Sequence, residues 1–281
     1  MRRQKCGLIM MSVVGSVLSW AQSFDVASVK VCDSNAARGT NAGDLSPGRV
    51  TYNCQNLMSY IRSAYGAWGK GSGRPTMGPF NIVGGPAWIN GDLYRIQAEA
   101  EGSPSMGMTA GPMMQALLED RFKLKIHRET REVPVYALVV TKAGLKLPAA
   151  KVECFALDVD RPPSRAKQGQ PPPPSCGFGK RTRDGIEIHG TTMAEFCAAL
   201  ANTPLRMERR KFIDRTGVAR RFDFDLKFPA EVTAEEGAAR PPIDDLDRLQ
   251  DALSRVGLQL KSEKGQDEFI VIDHAERPSA N

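Results

Sequence analysis

Two stretches of the chain share one pattern of apolar and polar residues, and they decide the fold class. They read MMQALLEDRFKLKIHRETREVPVYALVV at residues 113–140 and RLQDALSRVGLQLKSEKGQDEFIVIDH at residues 248–274. Each begins with apolar residues three and four positions apart, the spacing of one helix face, and continues with the alternation that is typical of strands. Each therefore predicts a helix followed by a strand hairpin, the second turning near Gly265.

The similarity extends upstream of both stretches. GRVTYNCQNLMSYIRSAYG at 48–66 matches GIEIHGTTMAEFCAALANT at 185–203, and WINGDLYRIQAEA at 88–100 matches TGVARRFDFDLKF at 216–228. Because the offset is about 130 residues in every comparison, we interpret the chain as an internal duplication. The predicted fold class is α+β, with two tandem strand-helix-strand-strand-helix-strand-strand modules whose helices pack against small mixed sheets.

Proline-rich sequence separates the two predicted modules. The segment RPPSRAKQGQPPPPS lies within residues 151–182, and its composition is typical of an extended linker. The first module is predicted at 22–150, the second at 183–275, and a short tail at 276–281.

The first 21 residues have the three parts of a secretory signal. Basic residues are followed by an apolar run from Gly7 to Leu18 and then by the small residues Ser19 and Ala21. This pattern predicts cleavage after Ala21 and an extracytoplasmic protein, periplasmic or secreted, with no membrane span after cleavage. An uncleaved membrane anchor is the alternative, although the apolar run is short for a bilayer.

Composition and charge argue against three classes of protein. The chain is 41% hydrophobic and 25% charged, as in ordinary globular proteins rather than membrane bundles or disordered chains. Removing the three basic residues of the signal from 38 Lys+Arg, against 32 Asp+Glu, leaves a mature net charge of +3. That charge is too small to favour a nucleic acid partner, and no basic and aromatic motif accompanies it.

Five cysteines remain after the predicted cleavage. Cys32 and Cys54 flank a Gly/Asn/Ser-rich segment, and Cys154 and Cys176 flank the proline-rich segment, so these four are the disulfide candidates. Cys197 lies on the apolar face of a predicted helix and is interpreted as a small buried hydrophobe. No cysteine pair has C-x-x-C spacing, so neither a metal site nor a cofactor is predicted.

Carboxylates form one candidate for chemistry. In FIDRTGVARRFDFDLKF, Asp214 to Gly217 predicts a turn, because Asp accepts hydrogen bonds from the backbone two residues on and Gly tolerates positive φ. Asp223 and Asp225 follow on one face of a strand, about 7 Å apart. They could form an acid/base pair or bind calcium, or they could belong to a solvated charge ladder shared with Lys227.

A tryptophan-bearing loop forms the other candidate. In GGPAWING the glycines Gly84 and Gly85 allow close backbone approach, Pro86 stiffens the turn, and Trp88 is a large apolar group. The segment is interpreted either as a contact surface for a ligand or peptide, or as a tryptophan that fills the core beneath the sheet.

FDVASVK, GGPAWI, RFKLKIHRETREVPVYALVV, IDRTGVARRFDFDLKF and FIVIDHAERPSAN together resemble an uncharacterised soil-associated bacterial protein family, a domain of unknown function. Each half is also similar, more weakly, to the short N-terminal domain of secretins and TonB-dependent receptors. In the second half, TTMAEFCAALAN, GVARRFDFDLKF and RLQDALSRVGLQL take the places of its first helix, following strand and second helix. That resemblance implies a docking or signalling module of the periplasm without catalysis, and fold analogy gives only a loose warrant for function.

We therefore expect an exported, non-catalytic interaction or sensing module of the bacterial cell envelope. Its expected partner is an envelope protein or peptide, bound by strand addition at a sheet edge or in a groove near Trp88. The alternative is an extracellular hydrolase or carbohydrate-active enzyme that uses Asp223 and Asp225.

Overall fold

The fold is taken from a computed structural model of the chain. It describes residues 23–32, 44–76, 78–150, 154–155, 158–161, 175–177, 179–181, 185–201, 210–227 and 245–279. The predicted signal, most of the predicted linker and the segment at 228–244 lie outside the described residues.

The described residues of the first half form six strands and three α-helices. The strands are β1 Val26–Val31, β2 Asp44–Ser46, β3 Arg49–Asn56, β4 Asn81–Gly84, β5 Leu93–Glu99 and β6 Lys125–Val140. The helices are α1 Leu57–Ile61, which continues as a π-helical segment Arg62–Ala67, then α2 Met106–Met108, a second π-helical segment Thr109–Met113, and α3 Met114–Phe122. A 3-10 helix at Ala87–Asn90 precedes β5.

The second half repeats this order with fewer residues. Its strands are β7 Gly179–Arg181, β8 Gly185–Thr191, β9 Lys211–Asp214, β10 Phe222–Lys227 and β11 Leu258–His274. Its helices are α4 Met193–Ala201 and α5 Asp245–Arg255. The predicted α+β class is confirmed, with several small sheets and short helices.

Each half has its own antiparallel sheet. In the first half the strand order is β1-β5-β3-β2, and in the second it is β10-β8-β7. The β3–β5 pair and the β8–β10 pair occupy equivalent places in the duplication. Each joins the strand before the first helix of its half to the second strand after that helix. The sequence repeat is therefore also a repeat of local structure.

A third sheet joins the two halves. Its order is β4-β11-β6-β9, so strands of the first and second halves alternate across it. β6 and β11 pair antiparallel over their whole length, β4 runs parallel to β11, and β9 runs parallel to β6. Each half thus adds a short strand, β4 or β9, beside the long strand of the other half. The two halves of this sheet are related by an approximate twofold axis near the Gly265–Val133 pair.

The two predicted hairpins are wrong. Lys125–Val140 and Leu258–His274 are each one continuous strand, and neither turns back on itself. The alternation of apolar and polar residues does mark strands in both segments. The antiparallel partner of each segment, however, lies in the other half of the chain. Gly265 serves a close approach instead of a turn, because a Cβ there would lie 2.8 Å from Cγ2 of Val135.

Two apolar cores flank the central sheet. The first packs β3, β5, α1 and α3 together, and it includes Ile270 and Ile272 from the second half. The second packs α4, α5, β8 and β10 together, and it includes Leu138 from the first half. Because each core takes side chains from the long strand of the other half, each core is completed only when both halves are folded.

All four disulfide candidates are bonded. Cys32 bonds Cys54 and Cys154 bonds Cys176, each across a sequence separation of 22 residues. Closing a loop of that length stabilises the fold by about 3 kcal/mol in the chain-entropy account. Such bridges persist in oxidising compartments, which is consistent with an extracytoplasmic protein. None of the helices in the described part of the chain is long and apolar enough to cross a membrane.

Candidate functional site

The tryptophan loop packs against the first core. Trp88 is half-buried, and its ring meets Tyr94 edge-on with the ring centroids 6.4 Å apart. The guanidinium of Arg277 lies over the indole, 5.2 Å from the ring centroid, and its Nε is 2.7 Å from Oδ2 of Asp92. The Trp88 ring is therefore engaged from within the chain, and its use as a contact surface stays a prediction.

The two glycines of this loop have a backbone role. Gly84 and Gly85 have φ of 81° and 77°, a region that side chains rarely tolerate. A Cβ on Gly84 would lie 2.7 Å from the carbonyl oxygen of Ile272. Because these glycines have no side chain, the backbone at the end of β4 can lie directly against β11 before it turns at Pro86.

Asp223 and Asp225 make different contacts. Asp223 lies at an irregularity in the pairing of β10 with β8, and its Oδ1 accepts a hydrogen bond from the backbone N–H of Gly190 at 2.7 Å. Asp225 is more exposed, and its Oδ2 lies 3.5 Å from Nζ of Lys227. Asp223 thus completes a strand pairing where the backbone ladder is interrupted, and a catalytic use of the two carboxylates stays a prediction.

The predicted turn before these carboxylates is confirmed. Oδ1 of Asp214 accepts hydrogen bonds from the backbone N–H of Thr216 at 2.8 Å and from its hydroxyl at 2.7 Å, and Gly217 has φ of 69°. The resulting Asx turn carries the chain from the central sheet to the sheet of the second half.

Each histidine pairs with its own carboxylate. Nδ1 of His127 lies 2.9 Å from Asp273, across the β6–β11 pair. Nε2 of His189 lies 3.2 Å from Glu187, and Nε2 of His274 lies 2.8 Å from Glu276.

A cavity at the junction of the two halves is a further candidate site. Its volume is about 270 Å³, near the lower end of the range for small-molecule pockets. The segment before β4, helix α4 and the strands β9 and β11 surround it, so both halves are needed to form it. The described residues that line it are Thr76, Gly78, Pro79, Phe80, Asn81, Ala194, Cys197, Ala198, Ala201, Lys211, Phe212, Asp267, Glu268 and Ile270.

Helix α4 gives the cavity its apolar wall. The helix begins with a capping box, in which Glu195 N–H donates to the Thr192 hydroxyl and Thr192 N–H donates to Glu195. One face of α4 is buried in the second core, while Ala194, Ala198 and Ala201 face the cavity. Their small side chains leave the space that a larger residue would fill.

One carboxylate organises the polar wall. Oδ1 of Asp267 accepts from the ammonium of Lys211 at 2.8 Å, and Oδ2 accepts from the Asn81 amide at 2.7 Å. The backbone N–H of Glu268 also donates to Oδ1 of Asp267, at 3.0 Å. The Asp267 side chain is only 15% exposed, and its hydrogen bonds hold both Lys211 and Asn81 in position.

Cys197 contributes a thiol to the cavity wall. It is a free cysteine, buried to 2% exposure, as the sequence predicted. Burial, and next the nearby carboxylate of Asp214, raise the pKa of the thiol to about 12. The thiol is therefore protonated at neutral pH, and it offers an apolar surface rather than a nucleophile.

No local pattern of the sequence predicts this cavity. Asn81, Lys211 and Asp267 come from three distant segments, and no spacing rule links them. The available signal was the duplication itself, since a strand exchange between repeats would bring β4 and β9 onto the long strands. Among the described residues, no group of three or more His, Cys, Asp or Glu side chains is placed to hold a metal ion.

Comparison with known proteins places the chain in a family. The family model described as a protein of unknown function, DUF3738, matches residues 60–275 of the 281. The chain belongs to the DUF3738 family. No curated protein and no solved structure matches it.

The DUF3738 match covers the features that form the cavity. It begins within α1 and ends just after β11, so it contains both halves of the central sheet and the Cys154–Cys176 bridge. The expected membership of a family of unknown function is thus confirmed. The soil association and the likeness to the secretin and TonB short domain stay predictions.

Proposed function

We propose that this DUF3738 protein is an exported, non-catalytic sensing module of the bacterial cell envelope that binds a small molecule in the cavity between its halves. The observation that carries the proposal is that cavity, where both halves converge on Lys211, Asp267 and Asn81. Ligands commonly bind at such junctions between structural units.

Two disulfides and the signal-like N-terminus support export. Bridges of this kind form outside the cytoplasm, where thiols are not kept reduced. An envelope protein or peptide would be present in the same compartment. In this proposal, that partner responds to the ligand-bound form of the protein.

The chemistry of the cavity supports binding rather than catalysis. The Asp267 carboxylate is committed to three hydrogen bonds, and the thiol of Cys197 has a raised pKa. A general base or nucleophile needs a free, reactive form near neutral pH. The groups that line the cavity are arranged to hold a ligand and one another.

The strand exchange supports a sensing role. A ligand that contacts α4 and β9 together with β4 and β11 bridges both halves of the chain, so its binding free energy stabilises their association. Ligand binding is thereby coupled to the stability of the joined halves.

Filling the cavity tests this function. We expect native mass spectrometry of the protein, isolated without denaturation from the envelope of its own host, to detect a retained small molecule. Ala198→Phe should abolish retention, because the ring occupies the cavity, while Ala199→Phe, one residue along the same helix and outside the lining, should retain it. Circular dichroism checks that both variants are folded. A wild-type protein that carries nothing, or two variants that retain ligand equally, would contradict the proposal.

A further inference from the structure

Within the described residues, the polar wall of the cavity has one donor and one acceptor that no protein group pairs with. An ammonium has three N–H donors, and Lys211 directs two of them to Asp267 and to the carbonyl oxygen of Gln266, at 2.8 and 3.3 Å. Among the described residues no acceptor takes the third. The N–H groups of Asn81 go to Asp267 and to the carbonyl oxygen of Glu268, at 2.7 and 3.2 Å.

The orientation of the Asn81 amide follows from these partners. Both are acceptors, so the nitrogen must face them and the carbonyl oxygen Oδ1 must face away. No donor in the described part of the chain reaches that Oδ1. Lys211 and Asn81 hold opposite oxygens of the same carboxylate, so both groups lie on the cavity wall with Asp267 between them.

Charge around the cavity excludes the simplest ionic ligands. The Lys211 charge is already balanced by Asp267, and the rim carries a second acid, Glu268, which pairs with Arg128. Each of these acids has its own cation, so a charged head of either sign would lose its hydration without meeting a free countercharge among these groups. A neutral head that both accepts and donates avoids this penalty.

Size and the remaining lining define the rest of the ligand. A volume of about 270 Å³ equals that of about nine waters in the liquid, so a body of one ring fits. Cys197, Ala198, Phe212 and Ile270 present apolar surface to it.

We propose that the cavity binds an uncharged molecule with an apolar body and a carboxamide-type head, whose oxygen accepts from Lys211 and whose N–H donates to Asn81. This inference rests on the proposed function and names the ligand class of the same site.

Three probes of one shape separate the possible head charges. Benzamide, benzoate and benzylamine share a ring and differ at neutral pH in being neutral, anionic and cationic. We expect benzamide to bind about tenfold more tightly than either of the others, as measured by isothermal calorimetry at pH 7, because only its head pairs with both groups.

Two lysine variants locate the interaction. Lys211→Met keeps the apolar stem and should weaken benzamide binding about tenfold, whereas Lys264→Met, which removes an exposed lysine paired with Glu132, should leave it unchanged. Because Lys211→Met leaves Asp267 short of a partner, the double variant Lys211→Met with Asp267→Asn provides a folded alternative. It should show the same loss.

The outcomes distinguish the ligand class from the function. Benzoate or benzylamine binding as tightly as benzamide overturns the neutral-head proposal, and so does the absence of binding by every probe at millimolar concentration. If native mass spectrometry still detects a ligand that Ala198→Phe expels, the proposed function stands while this ligand class fails. If retention fails as well, both are overturned.

Discussion

At the scale of single residues, the surroundings of a side chain decide its chemistry more than its identity does. Cys197 carries a thiol, but it is buried in the second core. Asp223 carries a carboxylate, but it accepts a backbone hydrogen bond that completes a strand pairing. Asp223 was a candidate for reactivity by residue type, whereas Cys197 was predicted to be a buried hydrophobe. The burial of Cys197 agrees with that prediction, and Asp223 has a structural role while its catalytic use stays a prediction.

The reactivity of Cys197 can be tested directly. The pKa of its thiol is raised to about 12, so the thiolate is scarce at pH 8. We expect iodoacetamide to modify native Cys197 roughly a thousandfold more slowly than a small free thiol, because only the thiolate reacts. Mass spectrometry of the time course measures this, and denatured protein, in which the rate should become normal, is the control. Rapid modification of the native protein would show an accessible, activated thiol.

At the scale of elements, the long strands β6 and β11 are the main departure from the expected pattern. Their alternation is clear, but the glycine in the middle of β11 is the signal of a hairpin turn as well as of a close approach. The structure resolves this ambiguity, since Gly265 lies opposite Val133 and a Cβ there would press on Val135.

A double-mutant cycle tests that register. Gly265→Ala should destabilise the protein by about 1–3 kcal/mol through overpacking against Val135, and Val135→Ala should remove most of that cost by making room. Urea unfolding measures the four free energies. Gly91→Ala, whose Cβ would meet nothing closer than 4.0 Å, should be additive with Val135→Ala. Additivity at Gly265 would argue against the pairing of these strands.

At the scale of the whole molecule, the duplication has produced one interdependent structure. The central sheet alternates strands from the two halves, and each apolar core contains side chains from the long strand of the other half. The predicted module boundaries at 22–150 and 183–275 stay a prediction. The two halves are expected to fold as one cooperative unit, because each core contains side chains from both.

Cooperative unfolding follows from this exchange. Trp68 and Trp88 report on the first half, and labelling of Cys197 reports on the second. We expect tryptophan fluorescence and pulse labelling of the thiol to give coincident urea midpoints, because neither half can keep its core without the other. Unfolding of the isolated wild-type protein with its disulfides intact is the measurement. Two separate midpoints would mean that the halves fold as independent modules.

The sequence by itself determined the α+β class, the positions of most helices and strands, the four cysteines that form disulfides, the buried state of Cys197 and the turn at Asp214 to Gly217. All of these depend on short-range patterns: the period of apolar residues, the flanking of a loop by cysteines, and the hydrogen-bonding reach of an aspartate.

Only the tertiary structure decided which strands pair and where a site forms. Periodicity shows that a segment is a strand but does not identify its partner, so β6 and β11 could equally have been hairpins. The cavity needed that pairing, because Asn81, Lys211 and Asp267 meet only when β4 and β9 are exchanged onto the long strands. Contacts between residues so far apart in sequence depend on the packing of the whole chain, and no local pattern encodes them.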